Sequence, residues 1–129
     1  MVRRKNNNLL EILSNANKII ISEEIYNYLL NHNNSKISAK IIRNITLLDE
    51  FGLSLSVDYL HRIWASKEKL WELRTVFSNN AERTLFFTVQ EGKFLLTNCF
   101  RKDTRDVPQK EIRKAEKILK EYLNYLGGR

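Results

Sequence analysis

The chain has 129 residues and a mass of 15.3 kDa, with 43% hydrophobic and 29% charged residues. This size and balance fit one globular domain, 1–129, and differ from those of a disordered or membrane protein. No apolar run approaches the roughly 20 residues of a membrane-spanning helix. No apolar stretch of the secretory kind follows the basic start MVRRKNNN, so we expect a cytoplasmic protein with a flexible, Asn-rich leader at residues 1–8.

Positive charge is concentrated in the second half of the chain. The formal net charge is +7, of which residues 1–59 carry +1 and residues 60–129 carry +6. Such an excess favours a surface that binds a polyanion such as nucleic acid, although Lys and Arg also serve simply to keep a protein soluble. Charge alone leaves both interpretations open.

The first half of the chain predicts a short strand and a helical hairpin. Residues 9–13, LLEIL, fit a first strand, and Ser22 is a suitable N-cap for a helix that follows it. A second helix over about residues 38–50 has its apolar residues at helical spacing, and Gly52 suits its end.

The second half of the chain changes to the period of strands. The segments 70–77, 83–90 and 93–100 are short, rich in aromatic and β-branched residues, and separated by turn residues. A final helix then begins near Pro108. The predicted order is β-α-α-β-β-β-α, an α+β fold in which an N-terminal helical hairpin packs on a small antiparallel sheet whose other face stays partly open.

Three cations are predicted to meet on the open face of this sheet. Alternation in LWELR directs Trp71 and Leu73 to one face and Arg74 to the other. Arg83 begins the next strand, and Lys102 follows the third. If Trp71 and Leu73 face the hairpin, neighbouring strands can bring the three cations onto one concave patch.

Positioned cations can catalyse RNA cleavage without a metal ion. When a ribose 2′-OH attacks the neighbouring phosphate, the pentacoordinate phosphorane gains negative charge that guanidinium groups stabilise. The planar fork of arginine also binds two phosphate oxygens at once. The same three cations are equally compatible with a passive phosphate-binding surface.

Other kinds of reactive centre are poorly supported by the sequence. His32 and His61 lie in separate segments, without ligands at metal-binding spacing, so we expect neither a metal nor a cofactor. Cys99 lies inside an apolar strand and is interpreted as a buried hydrophobic residue rather than a nucleophile. His61 is interpreted as structural, with an acid–base role as the alternative.

Three motifs in a fixed order resemble those of the RelE/ParE toxin superfamily, in particular its HigB-like, phage-derived branch. They are KLWELR (69–74), ERTLFF (82–87) and CFRKDTRDVPQKEI (99–112), and a looser similarity extends back to about residue 22. The resemblance implies a RelE-like fold and the toxin of a type II toxin–antitoxin system. Such toxins are mRNA interferases, endoribonucleases that cut mRNA in the ribosomal A site without a metal and stop translation.

The resemblance also implies roles for individual cations. By position, Arg74, Arg83 and Lys102 match the catalytic cations of the family, and Arg83 is the one expected to bind the scissile phosphate. We further expect Lys69, Arg101 and Arg105 to contact the substrate, although the family does not fix the position that Arg101 occupies.

Two departures from the family motifs leave the acid–base chemistry open. Asp103 replaces the second lysine of the third motif, and Glu82 replaces a tyrosine that often precedes the arginine of the second. A lysine, Glu82, Asp103 or His61 remains a candidate for proton transfer.

Partners follow from the same resemblance. We expect a cognate helix-turn-helix, HigA-like antitoxin in a hetero-oligomeric complex, contact with ribosome and mRNA, operator DNA bound only through the antitoxin, and no membrane. Two alternatives to the ribosome-dependent nuclease remain: a ParE-like gyrase inhibitor and a catalytically inactive, RNA-binding relative.

Overall fold

A five-stranded mixed sheet forms the centre of the molecule in the residues that the computed structural model describes, which are 11, 13, 15–101 and 106–127. The strands are β1 (Ile19–Ile21), β2 (Leu60–Ile63), β3 (Leu70–Phe77), β4 (Asn80–Val89) and β5 (Lys93–Arg101). The helices are α1 (Glu23–Leu30), α2 (Ser35–Phe51) and α3 (Gln109–Gly127). The sheet order is β1-β5-β4-β3-β2, with β1 parallel to β5 and the other pairs antiparallel. The predicted α+β class is confirmed, but the sheet is mixed rather than antiparallel.

Local capping explains the predicted helical hairpin. Helix α1 follows the N-cap Ser22, whose hydroxyl accepts a hydrogen bond from the backbone N–H of Ile25 at 3.1 Å. Helix α2 begins earlier than predicted because the side chain of Asn34 caps it, accepting from two backbone N–H groups. It ends at Gly52, whose φ of 61° lies in the left-handed region that favours glycine.

The first strand does not lie where the sequence pattern placed it. Within 9–13, Glu11 and Leu13 are helical, and the other three residues lie outside the described part of the chain. Leu13 is buried against the helical hairpin. The first strand is instead β1, three consecutive isoleucines whose branched side chains suit an extended backbone. It pairs with β5 rather than with any neighbour in sequence.

Strand β2 was not predicted, and it forms the edge of the sheet beyond β3. Its register places His61 opposite Glu72 and Arg62 opposite Trp71. The hydrophobic alternation of LHRI is broken by two side chains with polar tips, which hides a strand of only four residues. This strand brings His61 and Arg62 into the sheet.

Helices cover both faces of the sheet. The hairpin face, the side covered by α1 and α2, includes buried Leu73 and partly buried Trp71, which confirms the predicted orientation of LWELR. The α3 face was expected to be partly open, but α3 packs on it. The side chains in this second core are Ile63, Leu70, Leu85, Phe87, Leu95, Phe100, Ile112, Ala115 and Leu119. Exposed Leu126 does not belong to it.

A bulge in β5 reverses the alternation of its last residues. Leu85 pairs with Asn98 and Phe86 with Leu96, so Thr97 is an extra residue in the ladder. Beyond it, Asn98 faces α3, where its side-chain amide donates to the Glu111 carboxylate at 3.0 Å. The residues that follow therefore lie on the faces opposite to those that uninterrupted alternation predicts.

Candidate functional site

Arg74 and Arg83 are directly opposite each other in the ladder between β3 and β4, and both side chains lie on the α3 face. Glu72, two residues before Arg74, lies on the same face. Its Oε2 atom lies 3.4 Å from the Nε of Arg74 and 3.4 Å from the Nε of Arg83. One carboxylate thus bridges two guanidinium groups that would otherwise repel each other.

The two arginines differ in their access to solvent. The side chain of Arg74 is 28% exposed, whereas those of Arg83 and Glu72 are 5% and 3% exposed. A buried charge of this kind is stable only when it is paired, and the carboxylate supplies a partner. Arg74 is therefore the arginine of the pair that an incoming anion can reach. Arg83 is buried next to it and adds to the positive potential there.

A cavity of about 350 Å³ lies beside Arg74. His61 and Glu72 line it from β2 and β3, and Asp106 lines it from the segment before α3. Partly buried Arg62 and exposed Trp64, from the edge of the sheet, also line it. The described lining combines two arginines, two carboxylates and a histidine with five hydrophobic residues, so its charges nearly balance.

His61 is the titratable group in the cavity with an unused ring nitrogen. It lies opposite Glu72 in the ladder and so on the α3 face. Its Nδ1 atom is buried, and no described residue hydrogen-bonds to it. Buried polar atoms in proteins are nearly always paired, so an unpaired one beside a cavity is a candidate contact for a ligand.

The structure places Arg101 away from Arg74 and Arg83. Its Cζ atom lies 5.6 Å from the ring centroid of Phe77, on the hairpin face, and it lines a different cavity with Tyr28. The bulge at Thr97 is the physical reason, since regular alternation along β5 would have put Arg101 on the α3 face.

Glu82 also lies on the hairpin face, although it neighbours Arg83 in sequence. It is 1% exposed, and its two oxygens contact Tyr28 Oη at 2.5 Å and His32 Nε2 at 3.1 Å. Burial, together with Cys99 and this carboxylate, raises the pKa of the Tyr28 phenol. Glu82 is thus part of a buried network that connects α1 to the sheet, and it has no access to the cavity beside Arg74.

Of the remaining predicted site residues, only Lys69 is described, and it lies away from the arginine pair. Lys69 is exposed and lies just before the first residue of β3. Five residues of extended chain separate it from Arg74, a distance of about 17 Å. Lys102 and Arg105 lie outside the described residues, as does Asp103. Their roles stay predictions.

Cys99 is buried on the hairpin face, where its sulfur accepts a hydrogen bond from Thr84 Oγ1 at 3.3 Å. Burial raises the pKa of its thiol, which disfavours the thiolate that a nucleophile needs. This confirms its interpretation as a buried hydrophobic residue.

In the described ranges, no three His, Cys, Asp or Glu side chains lie close enough to hold a metal ion. No described helix combines the length and apolar character needed to cross a membrane.

Sequence reasoning missed Glu72, Asp106 and Trp64 as parts of the site. The alternation of LWELR already placed Glu72 beside Arg74, and this was the available signal for the bridging carboxylate. For Trp64 and Asp106 no such signal existed, because they meet only through the unpredicted strand β2 and the packing of α3.

The fold and the site together define a small α+β protein with a carboxylate-bridged arginine pair beside a cavity of mixed charged and hydrophobic lining. Residues 29–120 match the family model of the phage-derived protein Gp49-like group (DUF891), and the chain belongs to this family. The match covers α2, strands β2 to β5 and most of α3. The family is a toxin-like group. No curated protein matches the chain.

Proposed function

We propose that the protein is the toxin of a type II toxin–antitoxin system and acts as a ribosome-dependent mRNA endonuclease that inhibits translation. Membership of a toxin-like family supports the first part of this proposal. The observation that carries the second is the Arg74–Arg83 pair, which faces a cavity on the α3 face through its accessible member.

The proposed reaction is metal-independent transesterification. The ribose 2′-oxygen bonds to the adjacent phosphorus, the bond from phosphorus to the 5′-oxygen breaks, and the products carry a 2′,3′-cyclic phosphate and a 5′-hydroxyl. Arg74 would bind the non-bridging oxygens, whose charge grows in the phosphorane. Arg83 would strengthen the local positive potential and hold Glu72 in place.

Proton transfer in this reaction requires a base for the 2′-OH and an acid for the leaving 5′-oxygen. Of the groups left open by the sequence, Glu82 lies on the wrong face of the sheet and Asp103 lies outside the described residues. His61 lines the cavity beside Arg74, and histidine is the side chain best suited to gain and lose a proton near neutral pH. We assign one of the two proton transfers to His61.

A cognate antitoxin completes the proposal. A helix-turn-helix, HigA-like antitoxin would bind the toxin in a hetero-oligomer and carry the operator DNA contact, while the toxin itself engages ribosome and mRNA. Net charge of +7 suits both a polyanionic target and an acidic antitoxin segment. The antitoxin need not fill the cavity, because preventing entry to the A site is sufficient.

One observation favours a second candidate, an inactive RNA-binding relative. Glu72 neutralises part of the charge of both arginines, and Arg83 is buried, so the site as it stands binds anions less strongly than an unpaired arginine cluster would. A ParE-like gyrase inhibitor is the third candidate, and the arginine pair counts against it, because blocking gyrase needs no phosphate-stabilising arginine.

The test is cleavage of a defined mRNA with and without programmed ribosomes. The wild-type protein should cut only on ribosomes, Arg74→Ala should be inactive, and Arg113→Ala should be active, because it removes the same charge from the exposed surface of α3. Cleavage of free RNA would remove the ribosome from the mechanism. Growth arrest without cleavage would favour gyrase, and RNA binding without either would favour the inactive relative.

A further inference from the structure

Trp64 is unusually exposed for a tryptophan. Trp64 is the residue after the last residue of β2, and it is 79% exposed. Tryptophan is on average well buried, since its ring gives a large hydrophobic gain when removed from water. The exposed residues that follow it, Ala65, Lys67, Glu68 and Lys69, are small or charged, so no exposed apolar segment continues from the indole along the chain.

A stacked arginine holds this indole in place. The Arg62 Cζ atom lies 4.5 Å from the Trp64 ring centroid and 5.7 Å from the Trp71 ring centroid. These distances are typical of cation–π contacts. Arg62 covers one face of the Trp64 ring and connects it to the sheet, and the high exposure of the side chain leaves the other ring face open to solvent.

Trp64 lies at the opposite end of the cavity from Arg74. Both residues line the same cavity. Because Ile63 pairs with Leu70 in antiparallel strands, Trp64 and Lys69 leave the sheet at the same end. From Leu70 to Arg74 the strand rises about 13 Å, whereas stacked nucleotides of one strand rise only about 3.4 Å each. A nucleotide at Trp64 is therefore a different one from the nucleotide whose phosphate reaches Arg74.

We propose that Trp64 is a stacking platform for a base of single-stranded RNA that flanks the nucleotide bound at Arg74. This inference rests on the proposed function, since it names how the same site holds its substrate. An exposed aromatic ring next to cations is the arrangement that binds single strands, because every base has a face that stacks and every phosphate a charge. Arg62 and Lys69 supply the cations at this end of the β2–β3 pair. The proposal thus assigns Lys69 the substrate contact that was expected from the sequence.

The test is the affinity for a single-stranded RNA oligonucleotide in which every 2′-OH is methylated, so that it cannot be cleaved. Trp64→Ala should weaken binding by roughly 10-fold or more, and Trp64→Phe should retain most of it, because stacking on one base contributes on that scale. Phe51→Ala is the matched control, since Phe51 is an exposed aromatic residue at the end of α2. A sugar–phosphate chain without bases should bind wild type and Trp64→Ala equally.

Several results would overturn the inference. They are equal affinity of Trp64→Ala and wild type, equal loss in Trp64→Phe and Trp64→Ala, and no measurable binding by the wild type. If Trp64→Ala weakened the antitoxin complex and not the RNA complex, Trp64 would be a protein contact instead. Since the oligonucleotide is not cleaved, a nuclease assay that fails would remove the proposed function without deciding the role of Trp64.

Discussion

Arg74 and Arg83 face each other across two strands while sharing one buried carboxylate oxygen, that of Glu72, at 3.4 Å from each Nε. Two like charges directly opposite each other in a ladder normally destabilise a sheet. Here the shared carboxylate offsets that repulsion and leaves a group of three side chains with a net positive charge. The geometry separates the roles of the arginines, since only Arg74 reaches the cavity.

Glu72→Gln should lower stability and raise the affinity for RNA. The substitution removes the carboxylate charge that both guanidinium groups contact, which costs on the order of 3 kcal/mol. It also increases the positive potential at the cavity, so RNA should bind more tightly at low salt. Urea unfolding and RNA titration measure the two effects. Glu121→Gln makes the same change in net charge on the exposed side of α3, and equal behaviour of the two variants would contradict the bridging role.

Arg74→Ala and Arg83→Ala should separate binding from stability. Arg74 is partly exposed, so its loss should change the free energy of unfolding by about 1 kcal/mol or less while removing cleavage. Arg83 is buried, and its loss leaves a less compensated carboxylate at a cost on the order of 3 kcal/mol. Thermal unfolding and ribosomal cleavage, measured on both variants, check this. A larger loss of stability in Arg74→Ala would reverse the assignment.

His61→Ala should lose activity that added imidazole partly restores. A positioned proton-transfer group contributes roughly 100- to 10,000-fold to a rate, so the loss should fall in that range. His61→Gln should not be rescued, because its side chain still fills the space. His32→Gln is the control, since His32 lies on the hairpin face and should not affect the cleavage rate of the folded protein. A fully active His61→Ala would exclude the proposed role.

Alkaline pH should destabilise the fold through Cys99. Burial raises the pKa of its thiol in the folded state, so the group stays protonated there while the unfolded thiol ionises above about pH 8.5. A raised pKa contributes stability that is complete below the unfolded pKa and is lost as pH rises. The slope approaches about 1.4 kcal/mol for each pH unit. Cys99→Ala should lack this part of the slope in urea unfolding at several pH values, and a constant difference from wild type up to pH 10 would contradict it.

Elements with strong local signals could be predicted from the sequence. The N-cap Ser22, the left-handed Gly52 and strand β3 depend on a few neighbouring residues, and all three were predicted in place. The pairing of β1 with β5 depends on contacts between residues far apart in sequence, so an isoleucine run beside a helix start gave no indication of it.

The candidate site could be predicted only where alternation continues without interruption. In β3 and β4 it does, so the shared face of Arg74 and Arg83 follows from the sequence pattern. In β5 one extra residue, Thr97, changes the face of Arg101, and a bulge of one residue leaves no compositional signal. The cavity itself required β2, whose four residues show no clear alternation.

The most direct test of the account is the chemistry of the cut. On programmed ribosomes, we expect cleavage products that end in a 2′,3′-cyclic phosphate and a 5′-hydroxyl. Replacing the single 2′-OH at the cut site by hydrogen should abolish cleavage there. Cleavage of that 2′-deoxy substrate, or products that end in a 3′-hydroxyl and a 5′-phosphate, would contradict arginine-stabilised attack by the 2′-oxygen.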